Sequence, residues 1–287
     1  MRFTDRTIET PYAEIRLTDS GGDGIPLVLL HGSGANRAVF EHQFQSPLAE
    51  RHRLIAMDLP GHGASSDARD PATGYALPGL AHCVSRTLEA LGVERCVVFG
   101  WSLGGHVAIE LMHEHPQLVA GLMLSGAPPV ARGALGMLRG FHTSWDMLLA
   151  SKEKFTPRDV ERYGRLCYGD RATPELLDAI RRTDGRARVF FSRSIMRGDG
   201  AEQKRTVETA PVPVAMIDGE HDPLVRLSYI ASLDYTNLWD GRTHVIEGAG
   251  HAAFRDAPAR FNTLLQRFAA DADAWRVPVP APVALRA

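Results

Sequence analysis

Residues 95–115 read RCVVFGWSLGGHVAIELMHEH, and the order of patterns within them decides the fold. Residues 95–99 are a short apolar run of strand character, whereas residues 102–114 repeat apolar side chains at three- and four-residue spacing, as a helix laid on a sheet face does. Between them, Gly100-Trp101-Ser102-Leu103-Gly104 fits a GxSxG turn. A serine at the apex of such a strand-to-helix turn projects its hydroxyl clear of the sheet, and side chains two positions either side would collide there. Ser102 is therefore the expected nucleophile, with Gly100 and Gly104 present for steric reasons. Leu103 N–H, at the positive end of the following helix, is the first expected donor to a developing oxyanion.

Outward from this turn, apolar runs bounded by Gly and Pro recur at residues 25–30, 53–57, 119–124, 212–217 and 243–246, with helical spacing at 77–91 and 258–268. The alternation predicts one α/β domain with a mostly parallel central sheet flanked by helices. Residues 13–17, with Gly21 and Gly22 after them, are expected to form an antiparallel edge hairpin with the next segment of the chain. From 128 to 211 the strand signal stops and Arg-rich, helix-compatible stretches such as PRDVERYGRL and TPELLDAIRRTDGRARVFF take over. Because strands resume at Val212, this segment reads as a helical lid inserted after the sixth strand. The expected organisation is core at 1–127, lid at 128–211, core again at 212–271, and an extended Pro- and Ala-rich tail at 272–287.

The remaining chemistry is placed by position. His31-Gly32-Ser33-Gly34 comes after the run PLVLL, where a second oxyanion donor is expected, and Ser33 N–H takes that role; the alternative is an ordinary glycine turn. His31 is expected to fix this loop by hydrogen bonds, and the turn-rich loop from Asp58 to Ser65, with His62, to be structural. Twelve histidines compete for the base. His251, in the loop Gly248-Ala249-Gly250-His251 after the last strand, can swing over a serine, whereas His244 falls within a strand and His106, His113 and His115 fall on the helix after Ser102. The acid belongs on the loop after the strand ending near Ile217, where Asp222 is expected, with Glu220 its nearest rival and Asp218 behind that. The loop after the strand ending at Leu124 reads SGAPP and supplies no carboxylate. Ser102, Asp222, His251 is the chain order of a hydrolase that attacks an acyl carbonyl through an acyl-enzyme.

Bulk properties narrow the partner. A formal net charge of -2 and no long run of like charge provide no field for nucleic acid or an anionic membrane, so the expected partner is a small-molecule acyl ester or lactone. Three cysteines without CxxC spacing read as reduced, buried thiols, and the polar N-terminus MRFTDRTIET has no signal-peptide core, which together suggest a cytoplasmic protein with no membrane segment. No metal or cofactor is expected. His113 and His115 are two apart on a predicted helix and point in different directions. Oligomeric state is not legible.

The motifs HGSG, DLPGHGASS, GWSLGGH, GEHDP and GAGHAAF together resemble the α/β-hydrolase superfamily across the whole core. More narrowly, GWSLGGH, SGAPPVARG, PRDVERYGR, TDGRARVFF and NLWDGRTHVIEGAGHAAFRDAPARF resemble the metal-independent N-acyl-homoserine lactone hydrolases, in lid as well as core. The resemblance implies quorum-quenching lactone opening by the Ser102–His251–Asp222 triad. It also implies that Tyr163 is a lid tyrosine touching substrate, for which lid packing is the equal alternative. Ser33 stands where those lactonases tend to carry asparagine, and Asp222 where a glutamate can serve. Gly32 and Trp101 are further candidates for substrate contact; Trp101 and Phe254 flank the catalytic residues as candidates to line an acyl pocket, with plain core packing the alternative. Arg181, Arg182, Arg186 and Arg188 read as a solvated helix face. The competing readings are a general carboxylesterase with the same machinery and a ligand receptor that retains the triad.

Overall fold

The structure is a computed structural model that describes residues 3–276. Eight strands form one sheet in the order β1-β2-β4-β3-β5-β6-β7-β8. They are β1 (Thr4–Glu9), β2 (Glu14–Asp19), β3 (Leu27–Leu30), β4 (Leu54–Met57), β5 (Cys96–Trp101), β6 (Val119–Ser125), β7 (Val214–Gly219) and β8 (His244–Ile246). From β4 to β8 in that spatial order every pairing is parallel, whereas β2 pairs antiparallel with both β1 and β4.

Burial explains which strands announce themselves. Every residue of β3 to β7 is buried, because helices cover both faces, and such strands read as unbroken apolar runs. Successive residues nevertheless serve opposite cores. Val28 and Leu30 join Ile55 and Met57 on one face, Leu27 and Leu29 join Leu54, Ala56 and Phe99 on the other. Helices α1 (Leu77–Ala90) and α2 (Leu103–Glu114) cover the first face, and α8 (Pro258–Ala274) the second, where Phe99 meets Phe261 at 4.9 Å between ring centroids.

Two expectations are corrected. Residues 13–17 do form a hairpin strand, but β2 pairs with β1, which precedes it; five of the six β1 residues are exposed, so no apolar alternation marked it. The core also runs past 271, because α8 continues to Ala274 with Ala272 buried against Gly121. Residues 277–287 of the expected tail lie outside the described residues.

Between β6 and β7 the described chain contains helices and no named strand: α3 (Ala134–Gly140), a 3-10 stretch at Trp145–Ser151, α4 (Pro157–Tyr168), α5 (Pro174–Arg182), α6 (Gly185–Arg197) and α7 (Gln203–Glu208). The start of α4 is set by Pro157 in its first turn and a reciprocal capping box between Thr156 and Asp159. Gly164 leaves room for Leu177 of α5, which would lie 2.3 Å from an added Cβ. The insertion is tied to the core at Asp184, whose N–H donates to Gly61 O (2.8 Å) and whose carboxylate accepts from Tyr75 Oη (2.6 Å).

The central strand β3 has β4 on one side and β5 on the other, so the loops leaving β3 and β5 diverge at the carboxyl end of the sheet, the end at which open α/β sheets bind their ligands. Both loops carry candidate site residues.

Candidate active site

Ser102 sits between β5 and α2 with φ 53° and ψ -120°, one of two non-glycine residues at positive φ among those described. The close approach that forces this turn is visible in its glycines. A Cβ at Gly100 would lie 2.4 Å from Gly104 O, and one at Gly104 would lie 2.2 Å from Leu30 O. Sequence reading missed a third, Gly105, where a Cβ would meet Ala127 at 2.3 Å. Ser102 N–H donates to Ser125 O (2.9 Å), which pins the turn to the end of β6.

His251 and Asp222 arrive from the loops after β8 and β7. His251 Nδ1 lies 2.8 Å from Asp222 Oδ2, and both side chains are buried. The other carboxylate oxygen accepts from the N–H groups of Leu224 (2.8 Å) and Val225 (3.2 Å). Burial pushes the Asp222 carboxyl up, but the facing His251 and these N–H groups outweigh it and hold Asp222 below the ordinary carboxylate value. An ionised Asp222 therefore fixes the proton of neutral His251 on Nδ1 and leaves Nε2 as acceptor. That Nε2 is buried and has no hydrogen-bond partner. Glu220, the nearest rival, is exposed and accepts from Gly248 N–H (3.0 Å) instead.

Gly126 forms the wall behind the histidine. At φ 65°, it would place a Cβ 2.5 Å from His251 Cε1 and 2.8 Å from Nδ1. Its N–H donates to Asp218 Oδ1 (2.7 Å), so Asp218 acts on the histidine's surroundings without touching the imidazole. Burial, with repulsion from Asp222 adding to it, raises the Asp218 carboxyl to about 7 against the Gly126 bond. Ser125-Gly126 thus holds Ser102 on one side and His251 on the other. Trp101 is fully buried, donates from Nε1 to His251 O (2.9 Å), and packs its ring at tilted and edge-on angles among His251, Tyr168 and Phe254. Phe254 is equally buried.

The loop after β3 lies directly against Ser102. A Cβ on Gly32 would stand 3.1 Å from Ser102 Cβ and 2.9 Å from the Trp101 ring. Neither Ser33 N–H nor Leu103 N–H finds an acceptor among the described residues, as two oxyanion donors require. His31 fixes the loop: Leu59 N–H donates to its Nε2 (3.0 Å), which leaves Nδ1 to donate to Gly32 O (2.8 Å). His62 packs on His31 at 5.1 Å between centroids. Burial and the neighbouring His31 lower His62 to about 3, so it stays neutral, and its buried Nε2 has no partner.

Helix α4 covers this loop with a stripe at Val160, Tyr163, Cys167 and Tyr168. The Tyr163 ring lies 3.1 Å from the position of a Cβ on Gly34, and its hydroxyl faces Ser33 Oγ, which closes no hydrogen bond of normal geometry. Burial raises the Tyr163 hydroxyl, which stays a neutral donor, and raises the Cys167 thiol to about 12, with the Asp222 charge adding to the rise. A depression of about 770 Å³ opens elsewhere, between Phe3, Arg37, Phe44, Asp178 and Arg182; Ser102, Asp222 and His251 do not line it.

One sequence expectation fails here. Arg181 and Arg182 are exposed and Arg186 half-buried, but Arg188 is only 2% exposed. Arg188, Phe191 and Ile195 share one face of α6 at helical spacing, a stripe that the surrounding arginines hid. Among the described residues no three His, Cys, Asp or Glu side chains are grouped to hold a metal, and no helix is long and apolar enough to cross a membrane.

The sequence profile of the alpha/beta hydrolase fold matches residues 25–258. The structure of N-acyl homoserine lactonase AidH, in a variant complexed with N-hexanoyl homoserine, superposes with a TM-score of 0.93 at 40% identity, covering 97% of this chain and 100% of that one. Another variant of AidH was solved with N-hexanoyl homoserine lactone and has a TM-score of 0.91 at 41% identity over 95% of this chain and 100% of that one. The pimeloyl-[acyl-carrier protein] methyl ester esterase of Aeromonas hydrophila is 32% identical over 268 residues, 86% of this chain and 96% of its own. An esterase from Rhodococcus sp. ECU1013 shares the fold, with a TM-score of 0.76 at 24% identity over 94% of this chain and 99% of that one.

Proposed function

Since this chain belongs to the α/β-hydrolase fold family and is a hydrolase of ester bonds, we propose that it opens the lactone ring of N-acyl-homoserine lactones by serine catalysis. The observation that carries the mechanism is the buried His251, bonded through Nδ1 to Asp222 and unpartnered at Nε2. In the proposed cycle His251 Nε2 takes the Ser102 proton as Oγ attacks the lactone carbonyl. Ser33 N–H and Leu103 N–H receive the oxyanion, each worth on the order of 3 kcal/mol. His251 then protonates the ring oxygen, which leaves as the homoserine hydroxyl still tethered to the acyl-enzyme, and water releases the acyl-homoserine.

The lactone as substrate is supported by the 40% identity to AidH over 97% of the chain, which includes the insertion above Ser102. Tyr163 beside Ser33 is suitably placed for the substrate amide, with Gly32 and Trp101 beneath. The second reading, a carboxylesterase acting on simple acyl esters, is favoured by the 32% identity to a methyl ester esterase. The test measures ring opening by proton release and identifies the product by mass, with 4-nitrophenyl esters and unsubstituted lactones run alongside, before and after exhaustive chelation. Lactone opening that survives chelation and falls to background in Ser102→Ala supports the proposal. Activity lost on chelation and restored by zinc would refute serine catalysis, and brisk ester turnover without lactone opening would leave only the esterase.

A further inference from the structure

Within the insertion, Arg188 of α6 is a buried cation without a carboxylate partner among the described residues. Its Nε donates to Lys152 O (2.9 Å) and its Nη2 to Glu153 O (3.1 Å). Its guanidinium lies over the Phe155 ring, 3.9 Å from the centroid. The remaining nitrogen, Nη1, is buried and donates to nothing. A buried charge of this kind is retained at a cost, and an unused donor on it is an invitation to an oxygen the chain does not supply.

Its neighbours point to where that oxygen would come from. Phe155 meets Tyr163 edge-on at 5.4 Å, Tyr163 packs on Gly34, and the adjoining Gly32 packs on Ser102. The Arg188 charge is felt by both Tyr163 and His62. His62 Nε2 and Ser33 Oγ are likewise buried without partners. A donor, an acceptor and a hydroxyl therefore stand unused on Arg188, His62 and Ser33, and a chain of contacts leads from Ser102 through Gly32, Gly34, Tyr163 and Phe155 to Arg188.

We infer that Arg188 Nη1 is a specificity-determining donor for an oxygen substituent at the 3-position of the substrate's acyl chain, with His62 Nε2 available to accept from a hydroxyl there. This rests on the lactonase reading, in which the carbonyl under attack lies at Ser102 and the amide at Tyr163. The 3-carbon lies two carbons beyond the amide carbonyl, as Arg188 lies one aromatic ring beyond Tyr163. A keto oxygen accepts from Arg188 alone, and a 3-hydroxyl both accepts from Arg188 and donates to His62.

The test compares kcat/KM for N-hexanoyl-, N-(3-oxohexanoyl)- and N-(3-hydroxyhexanoyl)-homoserine lactone in wild type and in Arg188→Met. The expected result is a loss about tenfold greater on the two oxygenated substrates, carried by KM. The ratio between substrates in one preparation is independent of the fraction folded, so stability lost with the bonds from Arg188 to Lys152 O and Glu153 O does not enter it. Arg188→Lys keeps the charge without the planar fork and should recover part of the ratio; it carries the same test if the methionine variant is insoluble. An unchanged ratio in both variants overturns the inference while leaving the lactonase reading intact. A wild type that opens none of the three lactones removes both together.

Discussion

Replacing Gly126 by alanine tests the idea that a main-chain wall positions the histidine. Two costs are separable at this residue. The backbone at φ 65° is unfavourable for any residue with a Cβ, by about 1–2 kcal/mol. The new methyl would also stand 2.5 Å from His251 Cε1, where carbon atoms settle near ~3.7 Å, so the ring or the loop must retreat by about 1 Å. A displacement of that size at a reacting group costs roughly 100-fold in rate. Gly92 supplies the control, because it has φ 66° after α1 and nothing within 4 Å of an added Cβ. Gly92→Ala should lose about 1 kcal/mol and keep full activity. The pair is read by urea denaturation, and then by initial rates on a 4-nitrophenyl ester under conditions where both variants are folded. Gly126→Ala with turnover within about threefold of wild type, and no more destabilised than Gly92→Ala, would refute the steric account.

Three further outcomes are expected from the same geometry. Asp222→Asn should cut turnover by about 10³–10⁴-fold, since an amide no longer fixes the imidazole proton on Nδ1. Glu220→Gln, which alters only a surface bond to Gly248 N–H, should stay within about twofold by steady-state kinetics. Asp218 governs a pH window: its folded value, about 7, lies above its unfolded one, so the native state holds the extra proton. Stability is therefore lost as pH rises from the ordinary carboxylate range through about 7, by on the order of 4 kcal/mol. Asp218→Asn should flatten that decline in denaturation midpoints measured from pH 4 to 8, and an unchanged slope would contradict it.

Much of the core was legible because burial on both faces writes itself into sequence. Strands β3 to β7 and helices α1 and α2 stand where apolar runs and helical spacing put them, since few polar residues are tolerated at those positions. The first strand was not legible, because Thr4–Glu9 is an exposed edge and bears no apolar pattern. The Ser102 turn was legible from the glycines that crowding demands, and the meeting of Asp222 with His251 from loop position, whereas Gly126 gave no sign and Asp218 was read only as a remote candidate for the acid. Their roles depend on a contact across 125 residues and a hydrogen bond across 92. Arg188 was misread because charge suggests solvent, and only its phase on α6, in line with Phe191 and Ile195, says otherwise.

The backbone of Ser102 sets a conflict between persistence and turnover. A serine held at φ 53° and ψ -120° costs the folded state on the order of 1–3 kcal/mol that glycine would not. Any selection for heat resistance alone, blind to activity, would therefore drift toward Ser102→Gly and discard the hydroxyl. On the proposed serine mechanism the native sequence is kept below its own stability maximum at this position by the demand for chemistry, so a thermostabilised descendant has to find its gains elsewhere in the chain.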